Sequence, residues 1–314
     1  MSKILRCLVL CVLACVATVS GADSSFSIGL IGDVPYHEPA ITWERVKTDL
    51  NRASLAFVVH IGDINASDQS PDDALLATRV SEFDASAHPF IYTPGDNEWT
   101  DAHTAAAGHL DPLERLARLR SLFFPNGRSL GRRTLSVVRQ SEDPRYADFR
   151  ENARWTRAGV VFLTVHNVGS NNGLGRDAAG DAEHAARTRA NLEWLRRGFA
   201  EAERLHAPGL MIFTHAEMFT NRTPEQLAGM RDFLALLEEL TLRFAPRRVV
   251  LVHGDSHYFR IDMPLVETRT ARRIVNFTRV EVFGDDDVHW LRCDVDPTWP
   301  EVFRFVPQVI PDNR

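Results

Sequence analysis

Short apolar runs recur along the chain, each closed by a polar turn. Residues 27–30, 55–59, 89–92, 160–165, 210–214 and 249–252 are short and apolar enough to be buried strands. Between them the apolar positions change to helical spacing. Helices are predicted over 39–52, 72–87 and 111–123. A longer one spans 182–205, with Leu192, Leu195 and Phe199 on one stripe and Arg and Glu opposite, and Pro208-Gly209 stops it. Another is predicted over 224–244, with Leu227, Met230, Leu234 and Leu237 on one face. After residue 257 the pattern becomes alternating. Residues 273–283 and 288–295, joined by the turn at 284–287, read as an antiparallel hairpin closing one sheet at the C-terminus. Alternating strand and helix with such a hairpin predicts an α/β fold.

The ends of the apolar runs carry the chemistry. Three of them run into Gly32-Asp33, Gly62-Asp63 and Gly95-Asp96. Glycine lets the chain turn sharply as a strand ends, so the next carboxylate is presented at the strand's C-terminal edge. Two later runs end in histidine, at His215 and at His253-Gly254-Asp255-Ser256-His257. A single Asp at such a place is ordinarily a helix cap or turn former. Carboxylates and imidazoles on five strand ends need cations to balance them, and suit a pair of divalent metals.

In order, these blocks read GDVPYH, GD, GDNE, THAE and HGDSH. The sequence thereby resembles the calcineurin-like metallophosphoesterases, over residues 28–259. The resemblance implies two packed mixed β-sheets flanked by helices. It makes Asp33 and His257 ligands of a first metal, Asp63 the carboxylate bridging both metals, and Asp96 and His215 ligands of the second. Asp96 stands where the family has Asn, and Asp255 where it has the first His of the last block. The first block's His is expected at Pro35, and His37 comes two residues late. His253, just before the glycine, is a substitute for the His that Asp255 replaces. Asn97 occupies the place of the His that protonates the leaving group, and an amide cannot give up a proton. His37, His253 or His103 would then supply it, or water. Asn97, His37 and His253 are therefore the candidate catalytic residues. The extra carboxylates favour hard cations, manganese, magnesium, calcium or ferrous iron, over an imidazole-bound zinc. The implied activity is hydrolysis of a small-molecule phosphate monoester or diester by water held between two divalent metals. The competing reading is a catalytically degenerate metal-binding module of the same fold, favoured by Asn97 and Asp255.

The N-terminus bears on compartment. Lys3 and Arg6 precede an apolar run over 7–19 and then Ser20-Gly21-Ala22, the pattern of a secretory signal peptide cleaved near Ala22. The mature chain is then expected to be secreted or periplasmic. A lipoprotein signal ending at Cys15 fits less well, because Leu13 stands where a small residue is preferred. Of the four cysteines only Cys293 would remain, so no internal disulfide forms. Residues 23–314 are expected to form a single domain, and no later segment is apolar for long enough to cross a membrane. A net charge of -6 gives no nucleic-acid-binding surface.

Two segments interrupt the pattern. Residues 125–158 hold Arg128, Arg132, Arg133, Arg139, Arg145, Arg150, Arg154 and Arg157 among glycines and prolines. They read as a solvated excursion, or as a lid whose guanidiniums meet an anionic substrate. The loop at 169–173 is expected to be a turn or to line the cleft. His60, His166 and Asn167 lie near the same strand edge, in mainly structural roles.

Overall fold

A computed structural model describes residues 25–220 and 223–313, so the expected signal peptide lies outside the described residues. Strands β1 (Phe26–Ile31), β2 (Val58–His60) and β3 (Phe90–Tyr92) are parallel neighbours. Strands β4 (Val138–Arg139), β5 (Ala153–Arg157), β6 (Val160–Thr164), β7 (Gly209–Phe213), β8 (Arg248–His253), β9 (Arg260–Asp262) and β12 (Phe277–Glu281) form a second, seven-stranded sheet. A two-stranded ribbon, β10 (Val266–Glu267) and β11 (Arg272–Arg273), lies between β9 and β12 in sequence. Strands β13 (Trp290–Val295) and β14 (Phe303–Gln308) return to the first sheet, whose order is β14-β13-β1-β2-β3. Both sheets are mixed.

The sheets pack face to face. Ile28, Leu30 and Val59 of one share a core with Phe162, Phe213, Val250 and Val280 of the other. Helices α1 (Ala40–Arg52), α2 (Asp73–Asp84) and α3 (Pro112–Phe123) cover the outer face of the five-stranded sheet through Trp43, Leu50, Phe83, Leu116 and Leu119. Helices α4 (Ala178–Arg204) and α5 (Arg231–Phe244) cover the seven-stranded sheet, with Leu195, Phe199, Leu237 and Phe244 against Leu163 and Ile212. Burying each such side chain contributes about 1.5–3 kcal/mol, which is what holds an amphipathic helix on its sheet. Asp72, Asp111 and Asp177 cap α2, α3 and α4 through backbone N–H groups.

The register brings the acidic turns together. Ile31 pairs with His60, and His60 with Tyr92, so the turns after β1, β2 and β3 emerge side by side. Thr164 pairs with Phe213, and Phe213 with Val252, so the histidine-bearing ends of β7 and β8 are level in the other sheet.

Three expectations are corrected. α5 begins at Arg231, not 224, after a tight turn at Ala228–Met230. There the N–H of Gly229 donates to Asn171 Oδ1 and its carbonyl accepts from Asn172 Nδ2, so these backbone groups are committed outside the helix. Next, the residues read as one hairpin divide between the sheets. β12 runs parallel to β8, whereas β13 forms the C-terminal antiparallel hairpin with β14. Strand β14 contains Pro307, which is tolerated because the strand lies at the sheet edge. Finally, the segment 125–158 extends the seven-stranded sheet through β4 and β5. Arg139 is buried and donates to the carbonyls of Phe124 and Arg128, Arg133 donates to Ala87 O, and Arg154 donates to Arg197 O. Arg145 pairs with Asp143, and Arg157 covers the Phe26 ring. These five arginines fasten the segment to its own surroundings, which is not the work of a substrate lid.

Candidate metal centre

His215 is the hub of the site. Its Nδ1 donates to Ile61 O (2.9 Å), which turns Nε2 toward the acids. Nε2 lies 2.9 Å from Asp96 Oδ1, 3.4 Å from Asp63 Oδ1 and 4.0 Å from Asp255 Oδ1. Two triads result, Asp33 with Asp63 and His215, and Asp96 with His215 and Asp255, each with ligand atoms within 4.8 Å of one another. His257 Nε2 is 3.8 Å from Asp33 Oδ1. The backbone is strained to achieve this: Asp33, Asp63, Asp255 and His257 all have left-handed φ, between 54° and 78°. Such conformations cost on the order of 1–3 kcal/mol each and cluster at functional sites.

Charge is in excess. Among the described residues no lysine or arginine forms an ion pair with Asp33, Asp63 or Asp96. Burial pushes Asp33 up to about 8 and Asp63 well above the carboxylate range. Burial would lower His215, but Asp63, Asp96 and Asp33 hold it well above the ordinary imidazole range. His257 moves the other way, lowered chiefly by burial, so its ring is neutral and ready to ligate.

The residues fit divalent cations. Asp33 Oδ2 is buried without a hydrogen-bond partner, and Asp96 Oδ1 and His215 Nε2 are buried facing each other. A Cβ placed on Gly169 would stand 2.6 Å from Asp255 Oδ1 and from both Asp96 oxygens. That cradle is empty because residue 169 is glycine. Gly95 is needed for a similar reason, since a Cβ there would fall 2.0 Å from Asp63 Oδ1.

No family model matches the sequence, and no curated protein matches it. Among solved structures the chain is similar to PhoD, with a TM-score of 0.54 at 11% identity over 87% of this chain and 64% of that one. The fold is metallophosphoesterase-like. The likeness at this identity concerns the fold, and the chain spans less than two thirds of the PhoD structure's length. A structure of GAP50, the anchor in the inner membrane complex of Plasmodium, matches with a TM-score of 0.49 at 10% identity, over 91% and 89% of the two chains. A putative 5'-nucleotidase from Staphylococcus aureus matches at 0.46 and 12%, over 91% and 55%.

Within this metallophosphoesterase-like fold the structure gathers Asp33, Asp63, Asp96, His215, Asp255 and His257. It does not bring in two of the residues expected from sequence. His37 is an exposed side chain, with Nε2 2.5 Å from Asp68 Oδ1, because the chain has left the strand edge by that point. His253 is buried and lowered by that burial to about 4. Its Nδ1 donates to Gly254 O (2.8 Å), and it groups with Glu217 and Glu281 rather than with His215. Asp255, not His253, is the residue of the last block that reaches the second triad. Asn97 is in place: its backbone N–H donates to Asp63 Oδ1 (3.1 Å) and its Nδ2 to Asn65 O (3.0 Å). Glu98 Oε1 accepts from the Gly95 and Ile64 N–H groups and from Tyr92 Oη, which fixes the third turn. His60 holds Val34 O, and His166 pairs with Glu151, so both are structural.

Tyr36 was not anticipated. Its hydroxyl donates to Asp63 Oδ2 (3.0 Å), lies 3.3 Å from His257 Nε2, and accepts from Asn97 Nδ2 (3.4 Å). The signal was in the first block, where a phenol follows the proline that stands in the ligand position. Ser170 belongs to the loop expected to turn or to line the cleft, though its partners were not anticipated. Its hydroxyl lies 3.1 Å from Asp96 Oδ2 and 2.7 Å from Asp101 Oδ2. It sits in a turn where Ser170, Asn171 and Asn172 are all left-handed.

Proposed function

We propose that this protein is an exported hydrolase that cleaves a phosphate monoester or diester at a centre of two divalent metals. The observation that carries the reading is the convergence of four aspartates on His215, with no lysine or arginine paired to Asp33, Asp63 or Asp96 among the described residues. A buried set of this charge is complete only with cations. When bound, the metals would supply Lewis acidity and activate water near neutral pH.

The chain's own residues divide the remaining work. Asp33 and His257 would hold one cation, Asp96, Asp255 and His215 the other, and Asp63 would face both. Tyr36 fixes one oxygen of Asp63 and the Asn97 backbone fixes the other, so the bridging carboxylate is oriented before substrate arrives. Asn97 Nδ2 directs its two N–H groups to Asn65 O and Tyr36 Oη, which braces the third turn against the first, and an amide is unsuited to proton donation. With His37 at the surface and His253 turned elsewhere, the leaving-group proton would come from His103 or from solvent.

The export reading rests on the N-terminal pattern. Among the described residues no helix is long and apolar enough to cross a membrane. The function is tested by stripping the purified protein of metal and resupplying manganese, iron, zinc, magnesium or calcium singly, on aryl phosphate monoesters and diesters. Metal-restored turnover is expected. Metal binding without turnover on any ester would mark the catalytically degenerate module instead.

A further inference from the structure

Ser170 stands between the second triad and a cavity. On one side its Oγ meets Asp96 and on the other Asp101. Beyond it lies a space of about 270 Å³, lined by Asp101, His103, Ser170, Leu174, Gly175 and Arg176 among others. A phosphoryl group held at the metal centre would direct its organic substituent into neighbouring space, and this cavity adjoins the centre through one shared side chain.

The walls are chemically specific. Asp101 presents a carboxylate, an acceptor without a proton to give when ionised. Arg176 is anchored through Nε to Asp177 Oδ2 (2.8 Å), and its Nη1 is buried with no hydrogen-bond partner, so its guanidinium has donors unused. The anchor on Asp177 and the packing of Nη2 against Gly180, where a Cβ would approach to 2.7 Å, hold the guanidinium in place. His103 donates through Nδ1 to Thr100 O (2.8 Å), which leaves Nε2 an acceptor in the neutral ring. At Gly175 a Cβ would find no atom within 4 Å, so that wall is open.

A carboxylate acceptor and a guanidinium donor in one small cavity select against several substituents. An aryl ring would offer neither of them a hydrogen bond. A second anionic group would gain Arg176 but be opposed by Asp101. A hydroxyl donates and accepts, so neighbouring hydroxyls satisfy both walls. We propose that this cavity is a subsite for a polyhydroxylated group, making the substrates phosphate esters of small polyols or sugars. The volume is near the lower end of ligand pockets, roughly 300–1,000 Å³, and suits a group of that size. The inference rests on the phosphoester reading of the metal centre.

Phosphonates, whose P–C bond is not hydrolysed, separate the two. The manganese-loaded full chain is titrated by calorimetry with 2,3-dihydroxypropylphosphonate and with propylphosphonate. The dihydroxy compound is expected to bind about tenfold tighter, the gain from one or two hydrogen bonds to charged groups. Arg176→Met and Asp101→Asn should each bring the two affinities toward parity. Equal affinities in the wild type, no binding of either phosphonate, or an equal loss for both compounds in Arg176→Met would overturn the subsite. Discrimination that persists without any ester turnover would retain the subsite and reject the hydrolase. Turnover without discrimination would do the reverse.

Discussion

The hydroxyl of Tyr36 donates to Asp63 Oδ2 at 3.0 Å, joining the first acidic turn to the carboxylate that would face both metals. Tyr36→Phe removes this bond together with the hydroxyl's longer contacts to His257 and Asn97. The chain should fold with stability within about 2 kcal/mol of wild type, since a few hydrogen bonds are lost and the ring stays. Metal affinity or turnover should fall by about 10–100-fold, the usual effect of losing a partner that orients a ligand. Steady-state kinetics and metal titration of the variant check this, and an unchanged kcat with unchanged metal affinity would show Tyr36 to be a bystander.

Gly169→Ala probes the second triad without touching a ligand. The new methyl would stand 2.6 Å from Asp96 and Asp255 oxygens, in the space a cation needs. The variant should bind one metal per chain fewer than wild type and lose about tenfold or more in turnover. Elemental analysis after dialysis reads the stoichiometry. A full complement of metal would mean that the cradle is not the second site.

The acids make metal-dependent stabilisation depend on pH. Burial raises Asp33 from 3.8 to about 8, so in the metal-free protein its contribution to stability is present below about pH 4 and is lost as pH rises toward 8. Bound cations reverse this by stabilising the ionised form. The gap in Tm between metal-loaded and chelated protein should therefore widen from pH 4 to pH 8. Thermal melts at several pH values measure it, and a gap that narrows would contradict the assignment of Asp33 as a ligand.

His37→Ala should be nearly silent. The ring is exposed and paired with Asp68, and exposed pairs contribute little in water. Turnover on an aryl phosphate should stay within about twofold of wild type. A collapse in kcat, with an altered pH profile, would restore His37 to the chemistry.

Much of this centre was readable from the chain because strand ends are local features. An apolar run followed by Gly-Asp announces both the strand and the direction of the carboxylate, and parallel pairing then sets those ends level. What stayed hidden depends on pairing between distant segments. Residues 277–281 alternate as a hairpin partner would, yet β8 takes them in parallel and β13 turns instead to β14. Tyr36 and His37 are adjacent in sequence, and only the path of the chain after Asp33 decides which of them reaches Asp63. Asp255 and His253 differ in the same way, because the left-handed turn at Asp255 carries its carboxylate toward His215. Gly169 and Ser170 lie in the loop expected to turn or to line the cleft, but their approach to Asp96, 74 positions earlier in the chain, could not be read from it.

The central claim is that Asp63 helps hold two metals that together cleave a phosphoester. The measurement that tests it most directly is parallel metal content and aryl phosphate turnover for wild type and Asp63→Asn, each stripped and then resupplied with manganese. Two equivalents and turnover are expected in the wild type, with at most one equivalent and nearly all turnover lost in Asp63→Asn. Equal metal content and equal turnover in the two proteins, or wild-type turnover that survives complete chelation, would contradict the account.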